Sequence, residues 1–154
     1  MWPELREEVE LELAMLRQHL DTFKTLREST QHREPDRIET MALAGMLHGF
    51  YNGVENIFKR AAVHCDGGPP RGDAWRQRLL TNMTKAGRRR PIVISESLRI
   101  ALVGYLDFRH FFRQAYAFHI KWDKMASLVA HCEETLADLE TELHAFLKAV
   151  ECKE

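Results

Sequence analysis

The sequence predicts an all-α protein, an up-and-down bundle of four long helices plus one short helix. Apolar residues recur at steps of three and four over long stretches, and breaks containing Pro or Gly separate those stretches. One run alone, Ile92-Val93-Ile94, reads as a strand, and a lone strand has no partner, so it is expected as extended loop.

The elements follow in order. Val9, Leu13, Leu16, Leu20 and Phe23 form one stripe of a first helix, expected from about Glu4 to Thr30. Pro35 lacks an amide donor and pushes its predecessor out of the helical region, so a second helix begins at Asp36. Its broad apolar face, Leu43, Met46, Leu47, Phe50, Val54, Ile57, Phe58 and Ala61, suits packing against several neighbours and marks it as central. Asp66-Gly67-Gly68-Pro69-Pro70-Arg71-Gly72-Asp73 opposes regular structure and is the clearest loop. A short helix over Ala74 to Lys85 turns Trp75, Leu79, Leu80 and Met83 inward. Beyond Gly87 and the extended run, Ser95 is an N-cap for a helix through Leu98, Leu102, Tyr105, Phe108 and Phe112 to about Ile120. Asp123 is the expected cap of the last helix, whose seam runs from Met125 through Val129, Cys132, Leu136, Leu139, Leu143 and Phe146 to Val150.

The 154 residues fit one domain, 1–154, and 45% hydrophobic with 29% charged residues excludes a disordered chain. A formal net charge of -1 means that any contact with nucleic acid must come from a local patch. Three cysteines fit no disulfide framework and point to a reducing cytoplasm. The acidic N-terminus, followed by no uninterrupted apolar run, fits neither a signal peptide nor a membrane span. His64-Cys65 and His131-Cys132 lack the ligand spacings of zinc sites, so no metal and no cofactor is expected.

The chemistry concentrates in Phe108-Arg109-His110-Phe111-Phe112-Arg113-Gln114-Ala115-Tyr116-Ala117-Phe118-His119. In one continuous helix Arg109, Arg113 and Tyr116 stand at i, i+4 and i+7 and share a face, with His110 and Gln114 about 100° round it. Two arginines at i, i+4 repel unless an anion or a carboxylate lies between them, which points to phosphate binding or to an ion pair with a neighbouring helix. Arg88-Arg89-Arg90 is the densest local run of positive charge, an electrostatic contact for an RNA backbone or a solvated loop. Asn52, Glu55 and Asn56 interrupt an otherwise apolar helix and either line a cleft or face water.

The stretch Phe108 to Tyr116 resembles the motif helix of the HEPN superfamily, and of its HepT-like toxins in particular, with the signature R-x4-6-H, extended to R-x4-H-x-Y. The resemblance extends to Leu47 through Phe58, the Gly/Pro loop, Trp75 with Leu79-Leu80, and Arg90-Pro91 through Ser95, and so spans most of the chain. It implies a metal-independent RNA endonuclease working at a homodimer cleft and neutralised by a nucleotidyltransferase antitoxin of the MNT type. Arg109 and Arg113 would hold the scissile phosphate, and Tyr116 would be the residue the antitoxin modifies with AMP. Gln114 stands where the longer motif has histidine, and glutamine exchanges no proton near neutral pH. Arg113 and His119 meet the looser spacing and His110 lies one turn before Gln114, so either histidine is a candidate base. The alternative is a degenerate HEPN binding module that serves as partner and AMP acceptor of the nucleotidyltransferase.

Overall fold

The computed structural model describes residues 2–152. Its helices are α1 (Trp2–Thr22), α2 (Lys24–Ser29), α3 (Arg37–Cys65), α4 (Trp75–Asn82), α5 (Glu96–Gln114) and α6 (Ala126–Cys152), with single 3-10 turns at Ala117–His119 and Trp122–Lys124. The described residues contain no strand. α1, α3, α5 and α6 are the four long helices of an all-α bundle, and α3 is central, touching α1, α4, α5 and α6.

The apolar periodicity of α3 explains its place. Phe50, Tyr51, Val54, Ile57 and Phe58 are all fully buried, and removing such side chains from water is the dominant stabilising contribution to the bundle. Gly49 and Gly53, one turn apart, let α1 approach: a Cβ at Gly49 would lie 2.7 Å from His19 Nε2, and one at Gly53 would overlap Leu16. The helix opens on a capping box, with Glu39 N donating to Asp36 Oδ1 (2.8 Å) and Asp36 N donating to Glu39 Oε1 (3.0 Å). Ser95 caps α5 as its sequence predicts, accepting from Leu98 N at 3.2 Å. The extended run after Pro91 is tied down by Val93 N and Ile94 N, which both donate to Met83 O.

Four boundaries differ from expectation, the slightest being that of α4, which ends at Asn82, three residues before Lys85. The first helix breaks at Phe23, because the Leu20 carbonyl accepts from Phe23 N (3.1 Å) and from the buried Arg27 guanidinium (3.0 and 3.3 Å), which also reaches Glu133. α5 ends at Gln114, six residues before Ile120. Ala115 is extended (φ -89, ψ 145), the Ala117 carbonyl accepts from Arg37 Nη1 at 3.1 Å, and the turn delivers Ile120 into the core. Asp123 lies in the second 3-10 turn and caps nothing, since α6 starts at Ala126.

Candidate functional site

The inward face of α5 carries Leu98, Leu102, Tyr105 and Leu106, and Arg109 falls next on that face, one turn beyond Tyr105. An arginine is therefore drawn into the bundle at a position where the pattern calls for an apolar side chain, and it is only 8% exposed. It ends at an open cleft of about 470 Å³ lined by Trp75, Arg76, Arg109, His110, Arg113 and Gln114 among others. Arg109 Nε donates to Asn52 Oδ1 at 2.8 Å, the one acceptor it has among the described residues. Burial first, and then the Arg76 charge, lower its pKa from the ordinary arginine value. A guanidinium starts so high that it stays charged.

Arg76 enters from α4, stacked over Trp75 with its Cζ 4.4 Å from the ring centre, and its Nε donates to Glu55 Oε1 at 3.2 Å. Glu55 is 3% exposed and also lies 3.8 Å from Lys59 Nζ, so the one buried carboxylate here is already matched by cations. Arg113 and His110 are exposed and have no hydrogen-bond or ion-pair partner among the described residues. The cleft thus carries a surplus of positive charge, with guanidinium donors that can grip the oxygens of a phosphate.

His48 belongs to this cluster although its side chain was not singled out in the sequence. It lies one turn before Asn52, its Nδ1 3.5 Å from Asn52 Nδ2 and its ring 5.3 Å from Phe112. Burial, and then the charges of Arg109 and Arg113, hold its pKa below the ordinary histidine value. Its Nε2 is buried without a hydrogen-bond partner. The signal that marks it is a polar stripe on an apolar helix: His48, Asn52, Glu55 and Lys59 stand at i, i+4, i+7 and i+11. Asn56, by contrast, is exposed and away from this cleft.

The remaining predicted residues divide. Gln114 is exposed and lines the cleft. Tyr116 and His119 do not share the arginine face, because the helix stops before them. Tyr116 is 71% exposed and stacks on Phe118 at 5.7 Å, and His119 packs against Phe118 at 4.2 Å. Arg88 and Arg89 are exposed, but Arg90 is 5% exposed and points inward. Its Nε and Nη2 donate to the two Asp66 oxygens at 2.9 Å each, and it reaches the carbonyls of Asn82, Lys85 and Pro91. Placing Arg90 with the RNA-contacting arginines is corrected on this ground: its donors are already used in closing the 66–91 segment.

No group of three or more His, Cys, Asp or Glu among the described residues is arranged to hold a metal ion. His64 pairs with Glu8 at 3.2 Å, while burial pushes the Cys65 thiol up to about 11. No described helix is long and apolar enough to cross a membrane.

The all-α bundle is the fold the superfamily resemblance implied. The family model described as HepT-like protein matches residues 42–150, which run from the first turns of α3 to the end of the core-facing part of α6. The chain belongs to the HepT-like family of the HEPN superfamily. No curated protein and no solved structure matches it.

Proposed function

We propose that this protein is a HepT-like toxin, a metal-independent RNA endonuclease whose α5 arginines act at the cleft of a homodimer. The observation that carries this reading is Arg109: a buried cation with one neutral acceptor, Asn52, and a guanidinium otherwise turned to an open cleft beside the unpaired Arg113. Asn52 orients Arg109 through a neutral oxygen, and the acid nearby, Glu55, is already paired with Arg76 and Lys59. In the reaction the ribose 2′-OH attacks the adjacent phosphorus and a base takes its proton; the bond to the 5′-oxygen breaks, leaving a 2′,3′-cyclic phosphate, and the departing 5′-oxygen takes a proton from water to become a hydroxyl. Arg109 and Arg113 stabilise the charge that gathers on the non-bridging oxygens. Of the two candidate histidines of the motif stretch, His110 lines the cleft with Arg113 and takes the proton, whereas His119 lies outside the residues that line it. Arg88 and Arg89 contact RNA beyond the cleft. A nucleotidyltransferase of the MNT type neutralises the protein, and both work in the cytoplasm.

Two observations favour a second reading, a binding module without the nuclease step. Gln114 occupies the cleft where the longer motif has histidine, and Tyr116 is open to solvent with no hydrogen bond on its hydroxyl among the described residues, accessible as an AMP acceptor. Cleavage of a labelled RNA pool in excess EDTA separates the two. The nuclease reading predicts cleavage by the wild type that Arg109→Ala abolishes. A silent wild type whose activity appears in Gln114→His establishes the module instead. For the modification, intact mass after incubation with the nucleotidyltransferase and ATP is expected to rise by AMP units in wild type and not in Tyr116→Phe.

A further inference from the structure

The single acceptor of Arg109 is one half of a side-chain amide. A guanidinium N–H only donates, so Asn52 has to turn Oδ1 toward it, in keeping with the 2.8 Å contact. The other half of the amide, Nδ2, lies 3.5 Å from Nδ1 of His48, one turn earlier on α3. An amide nitrogen also only donates. Nδ1 of His48 therefore has to accept, and a neutral ring that accepts at Nδ1 carries its proton on Nε2.

The surroundings favour that state. The ring is tilted against Phe112 of α5, with centres 5.3 Å apart. Burial first, and then the charges of Arg109 and Arg113 on α5, oppose a positive charge on it. Its polar neighbour on α3 is the uncharged Asn52. From α1, His19 reaches the same part of α3, where its Nε2 lies 2.9 Å from the Met46 carbonyl. No carboxylate is among these groups. Nε2 of His48 is buried without a hydrogen-bond partner among the described residues, a feature that packing alone does not call for. It is the counterpart of an acceptor held at Nδ1.

A second proton on the ring would set Nδ1–H against the Asn52 NH2, donor to donor. The amide relieves that conflict by turning over, which gives its oxygen to His48 and sets its NH2 against Arg109. Resting on the proposed reading of the cleft, we infer that His48 is a positioning residue of the site: neutral, with its proton on Nε2, it fixes the orientation of the Asn52 amide and through it holds Arg109 toward the phosphate. Charging His48 then weakens the site, although it adds a positive charge beside it. A histidine that acted on the phosphate as a cation would do the opposite.

The ring nitrogens report the state directly. In two-bond 1H–15N spectra of histidine-labelled wild type, assigned with His48→Asn, Nδ1 of His48 should appear unprotonated and Nε2 protonated at neutral pH, with the ring taking its second proton only below the ordinary value of 6.5. A proton on Nδ1 at neutral pH overturns the proposal, whatever becomes of any variant. The readout at the site is binding of a 2′-O-methylated uridine dinucleotide, which lacks the attacking hydroxyl. His48→Phe keeps a ring against Phe112 but has no acceptor, and it should weaken binding about fivefold, the effect of one neutral hydrogen bond. His48→Asn returns an oxygen near the place of Nδ1 and does not titrate, so it should recover most of that loss. As the ring of the wild type charges, its affinity should fall relative to that of His48→Asn. Affinity that stays level or rises in that comparison overturns the proposal, as does a His48→Phe variant that binds like the wild type. Where Arg109→Ala still weakens the probe, either result leaves the cleft reading standing. A wild type that does not bind the dinucleotide overturns the cleft reading and the role of His48 in it, while the ring spectra still decide whether His48 orients Asn52.

Discussion

Arg90 and Arg109 lie at the same depth, 5% and 8% exposed, and are held in opposite ways. Arg90 meets the Asp66 carboxylate with two nitrogens and three backbone carbonyls with its other donors, so its charge is cancelled and its hydrogen bonds are spent within the chain. Arg109 meets a single neutral oxygen, that of Asn52, and opens on a cleft. Glu55 is near enough to favour the Arg109 charge but makes no hydrogen bond to it, and a buried guanidinium without a paired carboxylate is costly in a scaffold. The same feature is useful where an anion is to bind, because the cation is already desolvated and oriented. The contrast identifies Arg90 as a clamp of the loop and Arg109 as a site residue.

Substitutions break the comparison in order of size. Arg109→Ala should lower RNA cleavage by about 100-fold or more. Its unfolding free energy should change by less than about 1 kcal/mol in chemical denaturation. Arg90→Ala should do the reverse, destabilising by about 3 kcal/mol because it strands Asp66 and frees three carbonyls. A wild-type denaturation midpoint in Arg90→Ala would remove the clamp. Asn52→Ala should cost about tenfold in kcat with little change in stability, since one hydrogen bond to a charged group is lost. Asn52→Asp should weaken binding of the 2′-O-methyl dinucleotide more than Asn52→Ala does, because the carboxylate cancels Arg109; the opposite ranking would mean that Asn52 does not set the charge of the site.

The smallest effect lies outside the cleft, at the start of α3. Arg33 first, and then the Asp36 amide, hold the Glu39 carboxyl down to about 2 from its usual 4.5. A folded value below the unfolded one gives stability that is fully present above about 4.5 and is lost as pH falls from there through about 2. Glu39→Gln keeps an oxygen for the Asp36 amide but does not titrate. Its melting temperature should fall less steeply than that of the wild type across this window, and parallel curves would place the acid sensitivity elsewhere.

Most of the bundle was legible because its elements are written locally. Pro35, the Gly/Pro loop and Ser95 punctuate long stretches whose apolar period is that of a helix, and each mark lies where the structure starts or stops an element. The misplaced ends have tertiary causes. Nothing local announces that Arg27 turns back to the Leu20 carbonyl, or that the chain leaves α5 at Ala115 so that Ile120 reaches the core. With no Gly or Pro between Gln114 and Ile120 the periodicity simply ran on, and it carried Tyr116 onto a face it does not share.

The site divided in the same way. Arg109 and Arg113 stood out because like charges one turn apart need a reason. Within Arg88-Arg89-Arg90 the three residues look alike, and only the position of Asp66 distinguishes the buried one. Asn52 and His48 were readable only as a polar stripe, since their partner Arg109 lies 57 residues from Asn52 along the chain.

The most direct test observes the two buried arginines together, by following their Nε–H resonances in 1H–15N spectra while the 2′-O-methyl dinucleotide is titrated into the wild type, with Arg109→Lys and Arg90→Lys used for assignment. The Arg109 resonance is expected to shift saturably and the Arg90 resonance to stay in place. Binding of the dinucleotide with Arg109 silent, or with both resonances moving alike, would contradict it.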